Sequence, residues 1–583
     1  MHPWQTDWAG RTRKLKRPPS SRCASLDLVA ARARKPIKES NMHVFFSKHS
    51  SARARLQVAA ASVAMLAACG GGSDNRGVLP VLLPGAPAAQ SESPPPTPVV
   101  TVQKACGNLN GQTVAGASLT AVMIPATKTM AMHCRVSGTI PPALNFQIAL
   151  PEVWNGKLYY QGGGGYNGTI LPLQPQVLSQ GYAMVASDSG HQANALSADF
   201  ALTDTFAAQL FGSLSVPTVM STTTEALTLA YGAQPAKSYF EGCSNGGREA
   251  LMAVQRSPNL FDGVIARAPA YNWVGFMGAF NRNARALAAP GGAFTAAKTA
   301  LLSKHVRDAC DGLDGIVDGV VSNQAACTSA HVNVAVLRCA GGTDSGDSCL
   351  SDAQLDVVTS WTTEATFTGS ATFRNAGWNL TGNEDNPGAW RAWVTGDGNL
   401  AGAQQFLFQD TTVKNYLARD RSTNSLTYAP WDQNQNALYA MAALNDATNA
   451  DIRPFLNSGG KLILWHGGSD SALSVKSTAE YYATLRASVG AAATEASTRF
   501  YVAPGVNHCS GGPGADSSDL LAALDQWVTR SAAPSTLLAE KRDTEGTVVF
   551  ARPLCQYPKY PRYTGPINDA VGPKSAASYI CTS

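Results

Sequence analysis

The chain has 583 residues, a hydrophobic fraction of 44% and a formal net charge of +5. The positive charge belongs to residues 1–69, which hold 13 Lys and Arg against 3 Asp and Glu, so the remainder carries about −5. A nucleic-acid partner is therefore not indicated. From Cys106 onward, more than 470 residues remain, too many for one simple core.

The amino-terminal segment has the pattern of an export signal that begins at Met42. Residues 1–41 are basic and without hydrophobic pattern, and we expect them to be a functionless extension from a misassigned start codon. Basic residues after Met42 precede an apolar run, Leu56 to Leu66, which is too short to span a bilayer. Residues 42–69 are therefore predicted to be a signal peptide.

The signal ends in Leu66-Ala67-Ala68-Cys69, which resembles the cleavage box of bacterial lipoproteins. Cys69 would then be the lipidated first residue, and a plain secretory signal cut near Ala68 is the alternative. Residues 70–100 are rich in Gly, Ser and Pro, which predicts a flexible linker. We expect an exported protein, periplasmic or on the outer membrane of a Gram-negative bacterium, that contacts membrane only through a lipid anchor.

Short apolar runs alternate with helical segments over the rest of the chain, which predicts a mainly parallel sheet covered by helices on both faces. The gap between Arg267 and Lys461 is too long for one crossover, so residues 271–450 are predicted to be an inserted lid. The sheet domain would then comprise residues 101–270 and 451–583. The predicted strands are 157–161, 182–187, 238–242, 263–267, 461–465 and 499–502.

The sequence Gly242-Cys243-Ser244-Asn245-Gly246 matches the Gly-x-Ser-x-Gly nucleophile elbow. A β-prone run precedes it, and residues 247–255 favour a helix. A sharp strand-to-helix turn exposes the serine hydroxyl, and the glycines let the two chains approach. Ser244 is therefore the predicted nucleophile.

Within the proposed lid, an eight-residue segment contains three aspartates, Asp311, Asp314 and Asp318, among glycines that permit tight turns. Calcium binds six to eight oxygens, which such a segment could supply together with carbonyls and water. The spacing is not that of an EF-hand. On the residues alone, a calcium site and a solvated acidic turn remain equal alternatives.

A base and its orienting carboxylate are expected after the nucleophile, in the order Ser, Asp, His. Asp470 follows the predicted strand 461–465, and His508 follows the strand 499–502. Taken singly, Asp470 could cap a turn and His508 could be an ordinary loop histidine, but the order and the positions favour a triad. His466 is the competing base and ranks second, because it lies at the end of its own strand.

Setting aside Cys23 and Cys69, ten cysteines remain, an even number that indicates disulfides in an exported domain. A zinc site is the rival hypothesis, but neither Cys-x-x-Cys nor His-x3-His spacing occurs. Two of the ten adjoin the predicted catalytic residues, in Cys243-Ser244 and His508-Cys509.

These paired cysteines, together with the triad order, resemble the tannase and feruloyl esterase family, over about Cys106 to Cys581. The chain is similar to the branch that hydrolyses mono(2-hydroxyethyl) terephthalate. The resemblance implies an α/β-hydrolase fold with a large inserted lid. It also implies a disulfide between the two catalytic loops and four more: Cys243 with Cys509, Cys106 with Cys134, Cys310 with Cys327, Cys339 with Cys349, and Cys555 with Cys581.

The resemblance assigns further site residues. It implies a structural Ca²⁺ held by Asp311, Asp314 and Asp318 with the carbonyls of Ile316 and Val320, and no organic cofactor. Oxyanion donors are typically the amide after the nucleophile, here Asn245, and one from a glycine-rich loop. The loop 161–168 resembles that of the family, with Gly163 and Gly164 as the two candidates; a phosphate-binding loop is the rival, but no Gly-Lys-Ser/Thr follows.

The resemblance implies a serine esterase that hydrolyses aromatic esters of the feruloyl, galloyl or terephthalate monoester type through an acyl-enzyme. Trp393 and Phe406 are candidates for the wall of an aromatic pocket, and Arg391 for pairing a substrate carboxylate; a core of the lid itself and a solvent-facing arginine are the alternatives. A silent calcium-stabilised surface binding protein and a serine peptidase are the alternative functions. The oligomeric state is left open.

Overall fold

The computed structural model describes residues 100–367, 373–429, 431, 434–566 and 568–583. The predicted extension 1–41, the signal peptide with Cys69 and nearly all of the linker lie outside the described residues. No helix within the described ranges is long and apolar enough to cross a membrane.

The strands are β1 (Thr113–Val114), β2 (Ala117–Ile124), β3 (His133–Ile140), β4 (Leu144–Pro151), β5 (Lys157–Gln161), β6 (Ala183–Ser187), β7 (Lys237–Cys243), β8 (Gly263–Arg267), β9 (Ala365–Phe367), β10 (Phe373–Asn375), β11 (Lys461–Gly467), β12 (Thr498–Ala503), β13 (Leu537–Arg542), β14 (Val548–Leu554), β15 (Tyr560–Tyr563) and β16 (Tyr579–Thr582). The helices are α1 (Val102–Leu109), α2 (Pro175–Ser179), α3 (Asp199–Thr203), α4 (Thr205–Gln209), α5 (Ser215–Tyr231), α6 (Asn245–Arg256), α7 (Trp273–Ala288), α8 (Ala296–Cys310), α9 (Asp352–Thr362), α10 (Gln404–Thr412), α11 (Gln435–Asn445), α12 (Arg453–Asn457), α13 (Val475–Val489), α14 (Ala491–Ser497) and α15 (Leu520–Arg530).

A ten-stranded sheet in the order β1-β2-β3-β4-β6-β5-β7-β8-β11-β12 forms the centre of the fold. All six predicted strands lie in its parallel half, from β6 to β12. The first four strands pair antiparallel and were not predicted. Buried and exposed residues alternate along β2, so it lacks the continuous apolar run typical of a central parallel strand.

The strands of the parallel half separate two cores. Leu462 and Leu464 of β11 face one hydrophobic cluster, and Ile463 and Trp465 face the other, as the two-residue period of a strand requires. Both faces are buried because helices cover each side. This sandwich holds the carboxyl ends of β7, β11 and β12 at one edge.

The long connection between β8 and β11 contributes most of the members of a hydrophobic cluster that also includes Tyr166, Phe200 and Phe211. Its large buried members include Trp361, Trp378, Trp390 and Trp431, and α7 supplies Trp273. Much of the aromatic content of this segment therefore builds a core, as the alternative interpretation of the sequence held. The boundaries 271–450 for the lid remain a prediction.

Candidate active site

Ser244 lies in a strained turn between β7 and α6. Its backbone has φ of +63° and ψ of −120°, a region that residues other than glycine rarely adopt. Its N–H donates to the carbonyl of Arg267 at 3.0 Å, and its carbonyl accepts from the N–H of Ala270 at 3.0 Å. These bonds to the segment after β8 hold the turn in place.

Glycines around Ser244 are required by close backbone contacts. A Cβ on Gly242 would lie 2.5 Å from the carbonyl carbon of Gly246, and a Cβ on Gly246 would lie 2.7 Å from the oxygen of Gly163. A side chain at either position would push the helix away from the strand or from the glycine-rich loop. The elbow pattern thus reflects packing between two loops as well as turn geometry.

Asp470 and His508 meet at the ends of neighbouring parallel strands, β11 and β12. The Nδ1–H of His508 donates to Oδ2 of Asp470 at 2.7 Å, while Oδ1 of Asp470 accepts from the N–H groups of Ala472 and Leu473 at 2.7 and 2.8 Å. Burial alone would raise the pKa of Asp470. The charge of His508 and hydrogen bonds from His466 and His508 outweigh burial and hold that pKa well below its usual range.

His466, the competing base in the sequence, is fully buried and engaged at both nitrogens. Its Nδ1 lies 2.9 Å from Oγ1 of Thr478, and its Nε2 lies 3.1 Å from the carbonyl oxygen of Leu473 and 3.2 Å from Oδ2 of Asp470. Neither nitrogen is available to a substrate. This geometry suits a residue that steadies the carboxylate of Asp470.

Ser244 and His508 line a common surface depression, which we call the outer groove. The groove has a volume of about 480 Å³, and its polar or glycine lining includes Gln161, Gly164, Gln174, Glu241, Arg267 and Gln404. A disulfide joins Cys243 to Cys509, the neighbours of the two residues. The indole of Trp393 packs against the edge of the His508 ring at 4.9 Å between centroids.

A second, narrower depression opens from Ser244, and we call it the apolar pocket. One face of α7 lines it with Trp273, Phe276, Met277 and Phe280, and its cavity volume is about 20 Å³. Ser244 and Trp393 line both the apolar pocket and the outer groove. Ser244 therefore lies where a polar and an apolar depression meet.

The glycine-rich loop after β5 contacts α6 through Glu249. The N–H of Gly163 donates to Oε2 of Glu249 at 2.9 Å, so this amide is already engaged. A Cβ added at Gly164 would meet nothing within 4 Å, so this glycine borders open space in the outer groove. The two candidate amides therefore differ in their surroundings.

Glu249 is a site residue that the sequence analysis missed. Its Oε1 accepts from the side-chain amides of Asn167 at 2.6 Å and Asn245 at 3.2 Å. The other side of the Asn245 amide accepts from Nε of the fully buried Arg248 at 2.7 Å. Glu249 is only 5% exposed, and charged residues are rarely buried unless they are paired. The signal available in the sequence was its position, five residues after Ser244 in the predicted helix.

Of the three predicted pocket residues, Trp393, Phe406 and Arg391, only Trp393 lines the depressions around Ser244. Trp393 lines both depressions, whereas Phe406 is half-buried on α10 and Phe408 lines them instead. The side chain of Arg391 is 68% exposed and lies 3.6 Å from Asp397. Among the residues described around Ser244, Arg391 lines neither depression.

The predicted calcium segment contains two buried carboxylates. Asp311 accepts from the N–H of Gly319 at 2.9 Å, and Asp314 accepts from the N–H of Ser322 at 3.0 Å. Burial raises the pKa of Asp314 to about 6, and the charge of Asp318 also raises it. Within the described ranges, however, no three side chains of His, Cys, Asp or Glu lie together as a metal-binding group.

All five predicted disulfides are present. The structure joins Cys106 to Cys134, Cys243 to Cys509, Cys310 to Cys327, Cys339 to Cys349, and Cys555 to Cys581. The pairing implied by the family resemblance is therefore confirmed.

Comparisons with known proteins agree on one family. The family model described as tannase and feruloyl esterase matches residues 128–582. The chain is 32% identical to mono(2-hydroxyethyl) terephthalate hydrolase of Piscinibacter sakaiensis over 514 residues, covering 76% of this chain and 84% of that protein. It is 28% identical to a probable feruloyl esterase of Arthroderma benhamiae, covering 72% of this chain and 79% of that protein.

A solved structure shares the fold. The crystal structure of feruloyl esterase B from Aspergillus oryzae superposes with a TM-score of 0.71 at 23% identity, covering 83% of this chain and 100% of that chain. A crystal structure of an esterase from the same organism gives a TM-score of 0.73 at 21% identity, with the same coverage of both chains. The predicted α/β-hydrolase fold with a large insertion is thereby confirmed.

Proposed function

The chain belongs to the tannase and feruloyl esterase family and is a carboxylic ester hydrolase, and from this premise we propose that it hydrolyses aromatic esters with Ser244 as nucleophile. The observation that carries the proposal is the convergence of Ser244, His508 and Asp470 at one sheet edge beside an aromatic-lined pocket. The relatives named above act on, or are named for, terephthalate and feruloyl esters, which supports an aromatic acyl group.

The proposed reaction begins with proton transfer from Ser244 to His508. Because Nδ1 of His508 donates to Asp470, the neutral ring presents an unprotonated Nε2 as the base. The serine oxygen attacks the ester carbonyl, and the imidazolium then returns the proton to the departing alcohol. Water, deprotonated by the same histidine, hydrolyses the acyl-enzyme and releases the aromatic acid.

The developing oxyanion needs donors that are free before the reaction. We assign the backbone N–H groups of Asn245 and Gly164 to this role, because Gly163 already donates to Glu249. Glu249 acts as a positioning residue, since it joins the glycine-rich loop to the Asn245 side chain through its two oxygens. The N–H groups of Asn245 and Gly164 would thus be held in place before the oxyanion forms.

Turnover of aromatic esters tests this function. We expect the purified chain to release acid from methyl ferulate, methyl gallate or mono(2-hydroxyethyl) terephthalate, and Ser244→Ala to lower kcat by at least about a thousandfold. Mass spectrometry of a quenched reaction should find the acyl adduct on the Ser244 peptide. The matched control, Ser179→Ala, removes an exposed hydroxyl at the end of α2 and should turn over normally. Full activity of Ser244→Ala would rule out this nucleophile.

We propose further that a structural Ca²⁺ binds the segment of Asp311, Asp314 and Asp318 with the carbonyls of Ile316 and Val320. Two buried carboxylates near a third fit a cation, because a positive charge would relieve their mutual repulsion. Asp318 now pairs with Arg552 at 2.9 Å and would have to turn inward. When bound, the ion would neutralise this loop and take no part in ester cleavage.

Calcium should therefore stabilise the fold and leave the reaction itself unchanged. After removal of metal with a chelator, adding Ca²⁺ at one hundred times its Kd should raise the free energy of unfolding by about 2.7 kcal/mol. Thermal unfolding with and without Ca²⁺ measures the effect. Asp314→Asn should abolish the response, while Asp308→Asn, an exposed carboxylate paired with Lys304, should keep it. A response preserved in Asp314→Asn would remove this residue from the site.

The proposal includes export. Five disulfides are typical of an oxidising compartment, which favours the periplasm or the cell surface over the cytoplasm. The lipoprotein anchor at Cys69 rests on the sequence pattern of residues 42–69 alone.

A further inference from the structure

We infer that the apolar pocket selects uncharged aromatic acyl groups and discriminates against those that carry a free carboxylate. The inference rests on the proposed function, since it treats the apolar pocket as the acyl subsite. It follows from three observations: the side chains that line the pocket, the hydrogen bonds and ion pairs that the neighbouring arginines already make, and the small volume that the pocket leaves for water.

The apolar pocket runs away from the nucleophile along α7. The helix begins beside Ser244, because Ala270, three residues before Trp273, donates its N–H to the carbonyl of Ser244. Phe276 and Phe280 follow Trp273 at helical spacing on the same face. At 1.5 Å per residue, Phe280 lies about 10 Å farther along the helix than Trp273. The ring of an acyl group bound to Ser244 would point toward Phe280.

The lining of the apolar pocket contains no charged side chain among the described residues. Besides Ser244 and Asn245, it consists of glycine, alanine, aromatic and large aliphatic residues: Gly165, Ala270, Trp273, Phe276, Met277, Phe280, Trp393, Phe408, Ala472 and Leu473. A carboxylate at the far end of an aromatic acyl group would face this lining.

Two other arginines around the site are paired with carboxylates. Arg267 lines the outer groove and pairs with Glu241 at 2.5 Å between Nε and Oε1. Arg391 is exposed and pairs with Asp397. Neither arginine lines the apolar pocket.

Arg248 lies behind the apolar pocket, and each of its three side-chain nitrogens is hydrogen-bonded. Its guanidinium packs on the rings of Phe211 and Trp273 at 4.5 and 5.2 Å. Its three nitrogens donate to Oδ1 of Asn245 and to the carbonyls of Gly212 and Phe211 at 2.7 to 2.8 Å. The indole of Trp273, which packs on this cation, lines the pocket.

The small volume of the apolar pocket makes an unpaired charge costly. A cavity of about 20 Å³ has room for roughly one water molecule, so an aromatic ring enters only as lining side chains shift around it. A ring carboxylate would therefore lose its hydration without gaining a counter-charge. Gln404, one helical turn before Phe408 on α10, is neutral and lines the outer groove.

Three esters of one alcohol separate charge from size. We would measure kcat/KM of the wild-type chain on the 2-hydroxyethyl esters of benzoic acid, 4-acetylbenzoic acid and terephthalic acid. The acetyl group matches the carboxylate in shape and is uncharged, and the common alcohol keeps the outer groove equally filled. We expect the terephthalate monoester to be at least about 100-fold slower than the 4-acetyl ester.

Each other result has a distinct meaning. Equal kcat/KM on the charged and the 4-acetyl ester would overturn this inference and leave the proposed esterase intact. If the 4-acetylbenzoate and terephthalate esters were both slow and the benzoate ester fast, the pocket would select by the size of the acyl group. That result would overturn the role of charge. No turnover of any of the three would overturn the proposed function, and the inference with it.

Discussion

Asp470→Asn is expected to lower kcat by about 10⁴-fold while leaving the fold intact. The N–H groups of Ala472 and Leu473 need an acceptor, so the amide oxygen of the new asparagine would take the Oδ1 position. Its NH₂ group would then take the Oδ2 position. There it would donate to Nδ1 of His508, where the carboxylate now accepts at 2.7 Å. The ring would then carry its proton on Nε2 and could not accept one from Ser244.

Steady-state kinetics on methyl ferulate, with circular dichroism of the same sample, measures this loss. The control is Asp516→Asn, which changes a carboxylate in the loop of His508 that accepts from the N–H of Gly511 and from Lys541 of β13 and lines neither depression around Ser244. Its kcat should stay within a few-fold of wild type. A folded Asp470→Asn variant with normal kcat would contradict the triad, and an equal loss in Asp516→Asn would point to a general effect of the loop.

The depressed pKa of Asp470 also fixes its response to acid. Because the folded pKa lies below the unfolded value of about 3.9, the stability from this carboxylate is fully present above about pH 4. It is lost only as the pH falls through the lower, folded value. Protonation of Asp470 is therefore not expected to shape the activity profile near neutral pH.

The placement of Ser244, Asp470 and His508, the proposed triad, at one sheet edge could be predicted because each residue follows an apolar strand. Residues 461–465 form a continuous buried run, and such runs mark central parallel strands whose carboxyl ends meet at one edge. Chain order then identified Asp470 and His508. The antiparallel strands β2 and β3 lack this signal, because one face of each is more exposed and their buried residues alternate with exposed ones.

Details of the site depend on contacts between distant segments, which a linear pattern does not contain. The choice between Gly163 and Gly164 depends on Glu249, 86 residues away along the chain from the amide it accepts. On α10, Phe406 and Phe408 are two residues apart, so they point to different sides of the helix and only Phe408 lines the pocket. The sequence identified the aromatic segment and could not select its inward face.

Removing the disulfide between the catalytic loops should cost the protein both stability and activity. Cys243 and Cys509 are 266 residues apart, and in the chain-entropy account a cross-link of that span stabilises the fold by about 5 to 6 kcal/mol. Each cysteine adjoins a proposed catalytic residue, Ser244 or His508. In the double variant Cys243→Ser/Cys509→Ser, we expect a large fall in the unfolding midpoint. Even where the variant is folded, kcat should fall, because the two loops are no longer held together.

The matched control separates stability from loop positioning. Cys339 and Cys349 are 10 residues apart, so their loss should cost only about 3 kcal/mol, and neither cysteine adjoins the triad. Cys339→Ser/Cys349→Ser should therefore unfold at a higher temperature than the first variant and keep wild-type kcat. Thermal unfolding and initial rates, both below the onset of unfolding, measure the two effects. A folded first variant with the kcat of the control would show that the disulfide between Cys243 and Cys509 contributes to stability alone. The remaining contacts, including the hydrogen bond between His508 and Asp470, would then suffice to position the base.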